Sequence, residues 1–330
     1  MTRDKSVVAA CVLVLVVCVA GTMGLSGGVE SVGAAEGEEL LAAVLLGCDT
    51  AASRFSTSGG TVTVHEWAWR SNGELLETET RYRVASAGEK FKAAVETIYL
   101  TNEWTPPEPD MPIINTPGTV QRQEIAYDGE RVTSYELDRK RAEIAGPDSG
   151  AGRELRTVKL MTLSPGHGVP DLPTQSCSSH HTRSGPYVVG REVVNGDECI
   201  VVESVDTVPR SDGTEVKYYF KVWISPARGF TMCRAEASAQ GGPFGEGFLL
   251  GHTEIEVRPY GDDLWGVKQV RQEEYRLDES GKSYIMMREI TTFADDYQLN
   301  APVTEEMLTV QLPSGTRVHN ELIDAEYTVP

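Results

Sequence analysis

Residues 71–84 read SNGELLETETRYRV, and this stretch decides the fold class of the chain. Asn72-Gly73 is the strongest short signal for a β-hairpin, because both residue types tolerate positive φ. The strand after the turn alternates strictly between two faces. One face carries Leu76, Thr78, Thr80, Tyr82 and Val84, and the other carries Glu77, Glu79, Arg81 and Arg83. The stretch therefore predicts a hairpin with one face in water.

Alternating segments separated by turn residues continue on both sides of this hairpin. A second tight turn is predicted at Asn195-Gly196. Strands are predicted at 61–70, 76–84, 91–99, 124–127, 132–137, 141–145, 187–194, 199–205, 215–224, 230–237, 253–257, 267–277 and 284–293. This many strands with short connections predicts a mainly antiparallel β fold, a large sheet that curls or closes to protect its edges. The βαβ alternation of a doubly wound fold is missing.

Three irregular regions interrupt the pattern. The apolar parity changes between Val64 and Trp67, which predicts a β-bulge near His65 and Glu66. Long loops are predicted at about 102–118, which holds five prolines, and at about 146–185, where residues 154–163 favour a short helix. We interpret 36–330 as one β domain with these loops as insertions, and a domain boundary within 146–185 is the alternative.

The N-terminus has the order of regions found in a secretory signal peptide. Arg3 and Lys5 are basic, residues 7–20 carry no charge, and small residues lead to Ala35. We predict a signal peptide over residues 1–35, cleaved near Ala35, and hence export to the periplasm or cell envelope. An uncleaved anchor is the alternative, although the uncharged run of 7–20 is shorter than the roughly 20 residues that a spanning helix needs.

The segment after the predicted cleavage site favours an amphipathic helix from about Glu38 to Arg54. Leu41, Val44, Leu45 and Cys48 recur at helical spacing. Residues 45–48 also read Leu-Leu-Gly-Cys, like the sequence before a lipid-modified cysteine. Acidic residues precede them where a basic region belongs, so we prefer the helix.

The chain carries 49 acidic and 30 basic side chains, a net charge of −19. Proteins that bind nucleic acid need clustered Lys and Arg, so no nucleic-acid partner is predicted. Cys48, Cys177, Cys199 and Cys233 lie after the predicted signal peptide, and four cysteines in an oxidising compartment allow three disulfide pairings. The sequence does not choose among these pairings.

Motifs for catalysis and for metal binding are incomplete. The segment from His65 to Trp69 begins like a zinc-protease motif, but Trp69 stands where the second histidine belongs. Cys177 lies near His180 and His181 without a second pair of ligands. The glycine-rich segment 241–247 lacks the strand and helix context of a phosphate loop. We therefore predict no enzymatic activity, no metal site and no cofactor.

Aromatic side chains on the predicted sheet faces are the candidate binding residues. Curled sheets can enclose one ligand, so these residues can line an apolar cavity. The alternative is a filled core in which they pack against one another. The candidates are Trp67, Trp69, Tyr82, Phe91, Tyr218, Phe220 and Trp223.

Several short segments, in this order, resemble the periplasmic lipoprotein-carrier (LolA-like) superfamily. They are residues 51–55 (AASRF), 58–64 (SGGTVTV), 194–203 (VNGDECIVVE), 218–226 (YYFKVWISP), Gly229-Phe230 with 234–236 (RAE), and the tail 310–318 (VQLPSGTRV). The last of these is similar to the end of large, poorly characterised members.

The resemblance implies an incomplete β-barrel, or half-barrel, curved around a hydrophobic cavity and lidded by helices. This chain departs from the pattern, since it offers an N-terminal helix and few lid helices beyond the stretch near 154–163. The resemblance also implies a function in lipoprotein localisation or lipid transport, with an acyl chain bound and no catalysis. The alternative function is an envelope sensor or protein-interaction module that recognises an envelope protein partner with the same fold.

Overall fold

A computed structural model describes residues 33–103, 116–162, 182–210, 213–261 and 263–330. Most of the predicted signal peptide lies outside these residues, as do Cys177, His180, His181 and residues 104–115 and 163–181 of the two predicted long loops. The helices are α1 (Ala34–Ser53) and α2 (Gly150–Thr162). The strands are β1 (Thr57–Trp69), β2 (Leu75–Ala87), β3 (Lys90–Asn102), β4 (Val120–Tyr127), β5 (Val132–Glu136), β6 (Arg141–Ala145), β7 (Thr182–Val194), β8 (Asp197–Pro209), β9 (Glu215–Ser225), β10 (Thr231–Gln240), β11 (Phe248–Pro259), β12 (Trp265–Leu277), β13 (Ser283–Phe293), β14 (Gln298–Leu299), β15 (Arg317–Asn320) and β16 (Ala325–Thr328).

The prediction of a mainly antiparallel β fold with an N-terminal helix and few other helices is confirmed. Every predicted strand is present, and consecutive strands pair from β1 to β6 and from β7 to β13. Asn195 and Gly196 both have positive φ, at 52° and 87°, and join β7 to β8 in a two-residue turn. The turn between β1 and β2 is one residue longer, since Arg70 pairs with Glu74 around it, and only Gly73 within it has positive φ.

The chain divides into two compact units, which are described separately. The first unit comprises Met1–Arg54 and Pro165–Glu289, and the second comprises Phe55–Ser164 and Ile290–Pro330. In the first unit the strands lie in the order β12-β11-β10-β9-β8-β7. In the second the order is β16-β15-β6-β5-β4-β3-β2-β1, with β14 also paired to β1. The interpretation of 36–330 as a single domain stays a prediction.

Helix α1 packs on the first unit along a narrow stripe. Val44 and Cys48 are buried, whereas Leu45 is 41% exposed, so the buried stripe is narrower than the predicted one. Gly47 lies against the ring of Phe230, where a Cβ atom would overlap the ring. The predicted helix is confirmed, and Cys48 lies within it.

The core of the second unit is built from alternating residues of its first strands. Val62, Phe91 and Ile125 are fully buried on β1, β3 and β4. Gly60 has a φ of 139°, and a Cβ atom there would overlap the backbone of Tyr297. The segment after β13 therefore crosses β1 in direct backbone contact, which only glycine permits.

Two details differ from the sequence-based expectation. The predicted bulge near His65 and Glu66 is wrong, because β1 and β2 pair without a shift from Thr57 to Trp69. The register shifts instead between β2 and β3, at Glu77/Thr78. In addition, β15 pairs with β6 in parallel, an exception within the antiparallel fold. Such a short strand has too few residues for alternation to be recognised.

Candidate functional site

The first unit contains a pocket of about 530 Å³ with an apolar wall. Ligand pockets commonly measure about 300–1,000 Å³ and combine apolar walls with a few polar groups. The apolar wall comprises Tyr218, Phe244, Phe248, Leu250 and Leu277. The size and lining are suited to a small apolar molecule or a single hydrocarbon chain.

The glycine-rich segment between β10 and β11 forms one side of this pocket. Gly241, Gly242, Gly245 and Gly247 all have positive φ, which lets the chain fold back through a single 3-10 turn at Gly242–Phe244. A Cβ atom on Gly241 would overlap the carbonyl oxygen of Glu215, so this segment lies directly against β9. The glycines therefore fix the position of the aromatic residue between them.

Phe244 belongs to a set of three rings on the pocket wall. Its centroid lies 6.3 Å from that of Tyr218 in an edge arrangement and 5.8 Å from that of Phe248 in a stacked one. Both distances fall in the range of favourable aromatic pairs. All three rings are half-buried, so each has part of its surface open.

Small residues on neighbouring strands leave the space beneath these rings. Phe220 on β9 pairs with Ala237 on β10, which pairs with Gly251 on β11, which pairs with Glu274 on β12. The four residues therefore share one face of the sheet. Three of them, Ala237, Gly251 and Glu274, line the pocket and form its floor, where Ala and Gly fill little volume.

Polar side chains are placed at the floor and at the rim. Glu274 is only 6% exposed and accepts a hydrogen bond from Gln272 Nε2 at 3.2 Å. At the rim, Glu273 accepts hydrogen bonds from the Tyr275 hydroxyl at 2.6 Å and from Arg288 Nε at 2.7 Å. Burial and the bond to Glu273 raise the pKa of Tyr275 to about 12, so its hydroxyl stays protonated at neutral pH.

His252 at the rim belongs to a charged row that crosses β10, β11 and β12. Its imidazole lies 3.7 Å from Glu236, and this contact raises the pKa of His252 against the opposing effect of burial. Burial alone would raise the pKa of Glu236, but His252 and Arg234 together hold it below its ordinary value. Glu236 therefore lies between two basic groups, His252 and Arg234, beside the pocket.

The aromatic residues predicted in the first unit occupy different positions. Tyr218 lines the pocket, whereas Phe220 is buried on the same face of β9 and is not a lining residue. Trp223 lies on the opposite face of β9, because it is three residues from Phe220 and successive side chains of a strand point to alternate faces. Its indole Nε1 donates to Glu192 at 2.8 Å, and Arg234 stacks 4.6 Å from its ring. Of these three residues, the structure thus places Tyr218 in the pocket wall, and roles of Phe220 and Trp223 in ligand binding stay predictions.

The residues predicted in the second unit also lie on two faces. Tyr82 and Phe91 are buried in the core. Trp67 and Trp69 are half-buried on the other face, where Trp67 stacks on His65 at 3.8 Å. A role of these four residues in ligand binding stays a prediction.

Phe244, Phe248, Leu250 and Leu277 are pocket residues that the sequence analysis did not select. Phe244 and Phe248 stand in the sequence Gly-Gly-Pro-Phe-Gly-Glu-Gly-Phe over residues 241–248. An aromatic residue among four glycines cannot be part of a regular strand. A large aromatic residue within a glycine-rich segment was therefore the sequence feature that could have indicated Phe244 as a residue positioned by a loop.

The second unit has a smaller pocket of a different kind, about 340 Å³ in volume. Gln123 donates to Ser134 at 2.8 Å and to Glu154 of α2 at 3.0 Å. Desolvation raises the pKa of Glu154, the charges of Glu143 and Glu136 add to this, and the bond from Gln123 opposes it. This pocket is polar and offers no apolar wall.

Metal chemistry adds no further site among the residues that the structure describes. Cys48, Cys199 and Cys233 are buried. Within the same residues, no three potential ligands among His, Cys, Asp and Glu converge on a metal position. No helix in the described part of the chain is both long and apolar enough to span a membrane.

No family model and no curated protein sequence match this chain. Solved structures do match. The structure resembles a LolA superfamily protein. That protein, from Nitrosomonas europaea, aligns with 82% of this chain and 97% of its own, at 12% identity and a TM-score of 0.36. An uncharacterized conserved protein from Thermus thermophilus aligns with 86% of this chain and 99% of its own, at 10% identity and a TM-score of 0.28.

The likeness to these two structures is weak, at 12% and 10% identity. At these TM-scores it identifies neither a ligand nor an activity. The candidate site therefore depends on the pocket residues alone.

Proposed function

We propose that the protein is an exported envelope protein that binds or carries a lipid or lipoprotein acyl chain without catalysis. We further propose that the pocket lined by Phe244 and Phe248 holds the chain. The aromatic pocket of the first unit is the observation that carries this proposal. Export is proposed from the basic and apolar order of residues 3–20.

Burial of methylene groups provides the affinity in this proposal. Each buried methylene contributes about 0.8 kcal/mol, so several carbons against Leu250, Leu277 and the three rings suffice for useful binding. Glu274 at the floor and Glu273 at the rim would orient the polar end of the ligand.

Titration of the protein with a fluorescent acyl-chain probe tests the proposal. We expect saturable binding that Phe244→Asp abolishes, because a carboxylate would replace part of the apolar wall. Leu46→Asp is the matched control: it makes the same kind of change in the same unit, at a residue of α1 that is 69% exposed. Circular dichroism must show that both variants keep the native fold.

Two results would contradict the proposal. Absence of saturable binding to the folded protein would exclude an acyl-chain site. Equal loss of binding in both variants would show that an added carboxylate weakens binding of the probe wherever it is placed. Trp67→Asp serves as a further comparison, because it changes a predicted site residue outside this pocket. Loss of binding in folded Trp67→Asp but not in Phe244→Asp would favour the site predicted from the sequence over this pocket.

A second candidate function, recognition of an envelope protein partner, is favoured by the loop between β15 and β16. Leu322 and Ile323 are 53% and 66% exposed there, between Glu321 and Asp324. Adjacent exposed aliphatic residues in a four-residue loop suit insertion into an apolar pocket bordered by basic residues. Crosslinking from Ile323 in the native envelope, with Thr328 as the control position, tests this candidate, and no difference between the two positions would exclude it.

A further inference from the structure

We propose that Cys199 and Cys233 form a disulfide bond within the first unit when the protein is in an oxidising compartment. The sequence leaves three pairings open for the four cysteines after the predicted signal peptide, whereas the structure places these two in one buried cluster. The inference rests on the proposed export, because disulfides form and persist outside the reducing cytoplasm. It goes beyond ligand binding, since it assigns a covalent modification on the face of the sheet opposite the pocket floor.

The two cysteines lie on the strands that flank β9. On β8, Val201 pairs with Trp223, so Cys199, two residues before Val201, shares the face of Trp223. On β10, Arg234 pairs with the same Trp223, and the register shifts immediately before Arg234, which leaves Cys233 as an extra residue. A bulge of this kind bends its strand and redirects the side chain of the extra residue. Both cysteines are thereby placed beside Trp223.

The packing around Trp223 brings the two cysteine side chains together. Cys199 is fully buried and Cys233 is 3% exposed, in one cluster with Val201 and Trp223. Ser225 lies two residues beyond Trp223 on the same face of β9 and is also fully buried. Because the serine side chain is small, it leaves space above β9 in which the sulfur atoms from the two flanking strands can meet.

The two thiols are hydrogen-bonded to each other, and this bond has opposite effects on them. It raises the pKa of Cys199, together with burial, and it lowers the pKa of Cys233. For Cys233, burial and the charge of Asp197 oppose the lowering of the pKa, while the charge of Arg228 and the backbone N–H of Ser225 add to it. Cys233 therefore ionises first. A thiolate is the form that reacts with disulfides, so Cys233 is the attacking group.

The bond forms by thiol–disulfide exchange with an oxidant that itself carries a disulfide, such as glutathione disulfide. Cys233 lines a pocket of about 380 Å³, which is the side from which the oxidant reaches it. The Cys233 thiolate attacks one sulfur of the oxidant, which gives a mixed disulfide and releases one thiolate. The Cys199 thiol then loses its proton, and its sulfur attacks the Cys233 sulfur and releases the second thiolate. Two electrons pass to the oxidant, and its two thiolates take up the protons of the two cysteines.

Mass spectrometry of the whole chain tests the pairing. One sample of the protein is taken from cells without reductant, denatured, alkylated with iodoacetamide and digested. A second sample is reduced and then refolded with reduced and oxidised glutathione, so that its redox state no longer depends on the compartment. We expect both samples to yield a pair of peptides joined through Cys199 and Cys233.

The two samples distinguish failure of this inference from failure of the proposed export. Alkylation of Cys199 and Cys233 in both samples, or a bond from either of them to Cys48 or Cys177, would overturn the pairing. A joined pair after refolding with glutathione, but two alkylated cysteines in the protein from cells, would support the pairing and contradict export to an oxidising compartment.

Urea unfolding with and without a phosphine reductant measures what the bond contributes to stability. In the unmodified protein we expect the reductant to lower the unfolding midpoint by about 1 M. Cys199→Ser should remove this shift, because one partner of the bond is missing. Cys48→Ser is the matched control, since it replaces a buried cysteine of the same unit whose thiol donates to the Phe230 carbonyl at 3.5 Å, and it should keep the shift.

An equal shift in folded Cys199→Ser and Cys48→Ser would overturn the pairing. If Cys199→Ser does not fold, mass spectrometry of the unmodified chain still decides whether Cys199 is joined to Cys233.

Discussion

The two units share hairpin construction but carry different chemistry. In the first, the glycine-rich segment holds Phe244 above the small residues Ala237 and Gly251, and an aromatic pocket results. In the second, α2 contributes Glu154 to a polar pocket with Gln123 and Ser134. Strand alternation is alike in both units. The chemistry of each pocket therefore depends on the connecting segment beside it as well as on the sheet.

The largest expected loss of stability concerns Gly60, which lies against the backbone of another segment, unlike the glycine in the turn between β1 and β2. In the second unit, Gly60→Ala should lower the free energy of unfolding by about 4 kcal/mol or more, because the Cβ atom would overlap Tyr297 backbone and lie 2.7 Å from the Asp296 oxygen. Gly73→Ala is the control: φ is 88° there but the space is open, so a cost of about 1 kcal/mol is expected. Urea unfolding of both variants measures this, and similar costs would contradict the close crossing.

The next effect separates core aromatic residues from pocket aromatic residues. Phe91→Ala in the second unit should cost about 3–5 kcal/mol, because Phe91 is fully buried. Phe248→Ala in the first unit should cost about 1–2 kcal/mol, because that ring is half-buried, yet it should weaken acyl-probe binding. Unfolding midpoints and probe titration check both. A larger stability loss for Phe248→Ala would indicate a filled core in place of a pocket.

One carboxyl group in each unit should respond to pH in the direction opposite to the other, Glu66 in the second unit and Glu236 in the first. In the second unit, burial raises the pKa of Glu66 above its ordinary value of 4.5. The protonated side chain is favoured in the folded state, so its contribution is complete below pH 4.5 and is lost as the pH rises through the raised pKa. In the first unit the pKa of Glu236 is lowered, so its contribution is present above pH 4.5 and is lost as the pH falls through the lowered pKa.

Two substitutions test this difference in urea unfolding as a function of pH. Glu66→Gln should become more stable relative to the unmodified protein as the pH rises above 4.5. Glu236→Gln should become less stable relative to it as the pH rises from acid through the lowered pKa to 4.5. Parallel pH profiles for the two variants would contradict the opposite directions.

The smallest loss of stability is expected for exposed ion pairs on the surface, and it should be similar in the two units. Lys268 and Glu256 in the first unit form an ion pair of 2.6 Å, as do Lys90 and Glu305 in the second. Both pairs are largely exposed, so Lys268→Ala and Lys90→Ala should each cost no more than about 1 kcal/mol. A markedly larger loss in one variant would identify a structural role for that pair.

Local sequence patterns predicted the strands, the opening helix and the turn at Asn195-Gly196. Each of these depends on neighbours within a few residues: period-two alternation, helical spacing, or tolerance of positive φ. The prediction of a bulge near His65 and Glu66 was wrong because it also used only residues close together in the sequence. A change in apolar parity can also arise when both faces of a strand carry large apolar residues, as with Val64 and Trp67.

The sequence by itself thus determined the class of fold, the acidic surface and Tyr218 as a candidate site residue. Only the tertiary structure decided that Ala237 and Gly251 meet beneath Phe244, that β15 pairs with β6, and that Trp223 lies away from Phe220 in their own unit. Alternation specifies which residues share a face of one strand. It does not specify which strands become neighbours or which loop covers them, because those contacts join residues far apart in the chain.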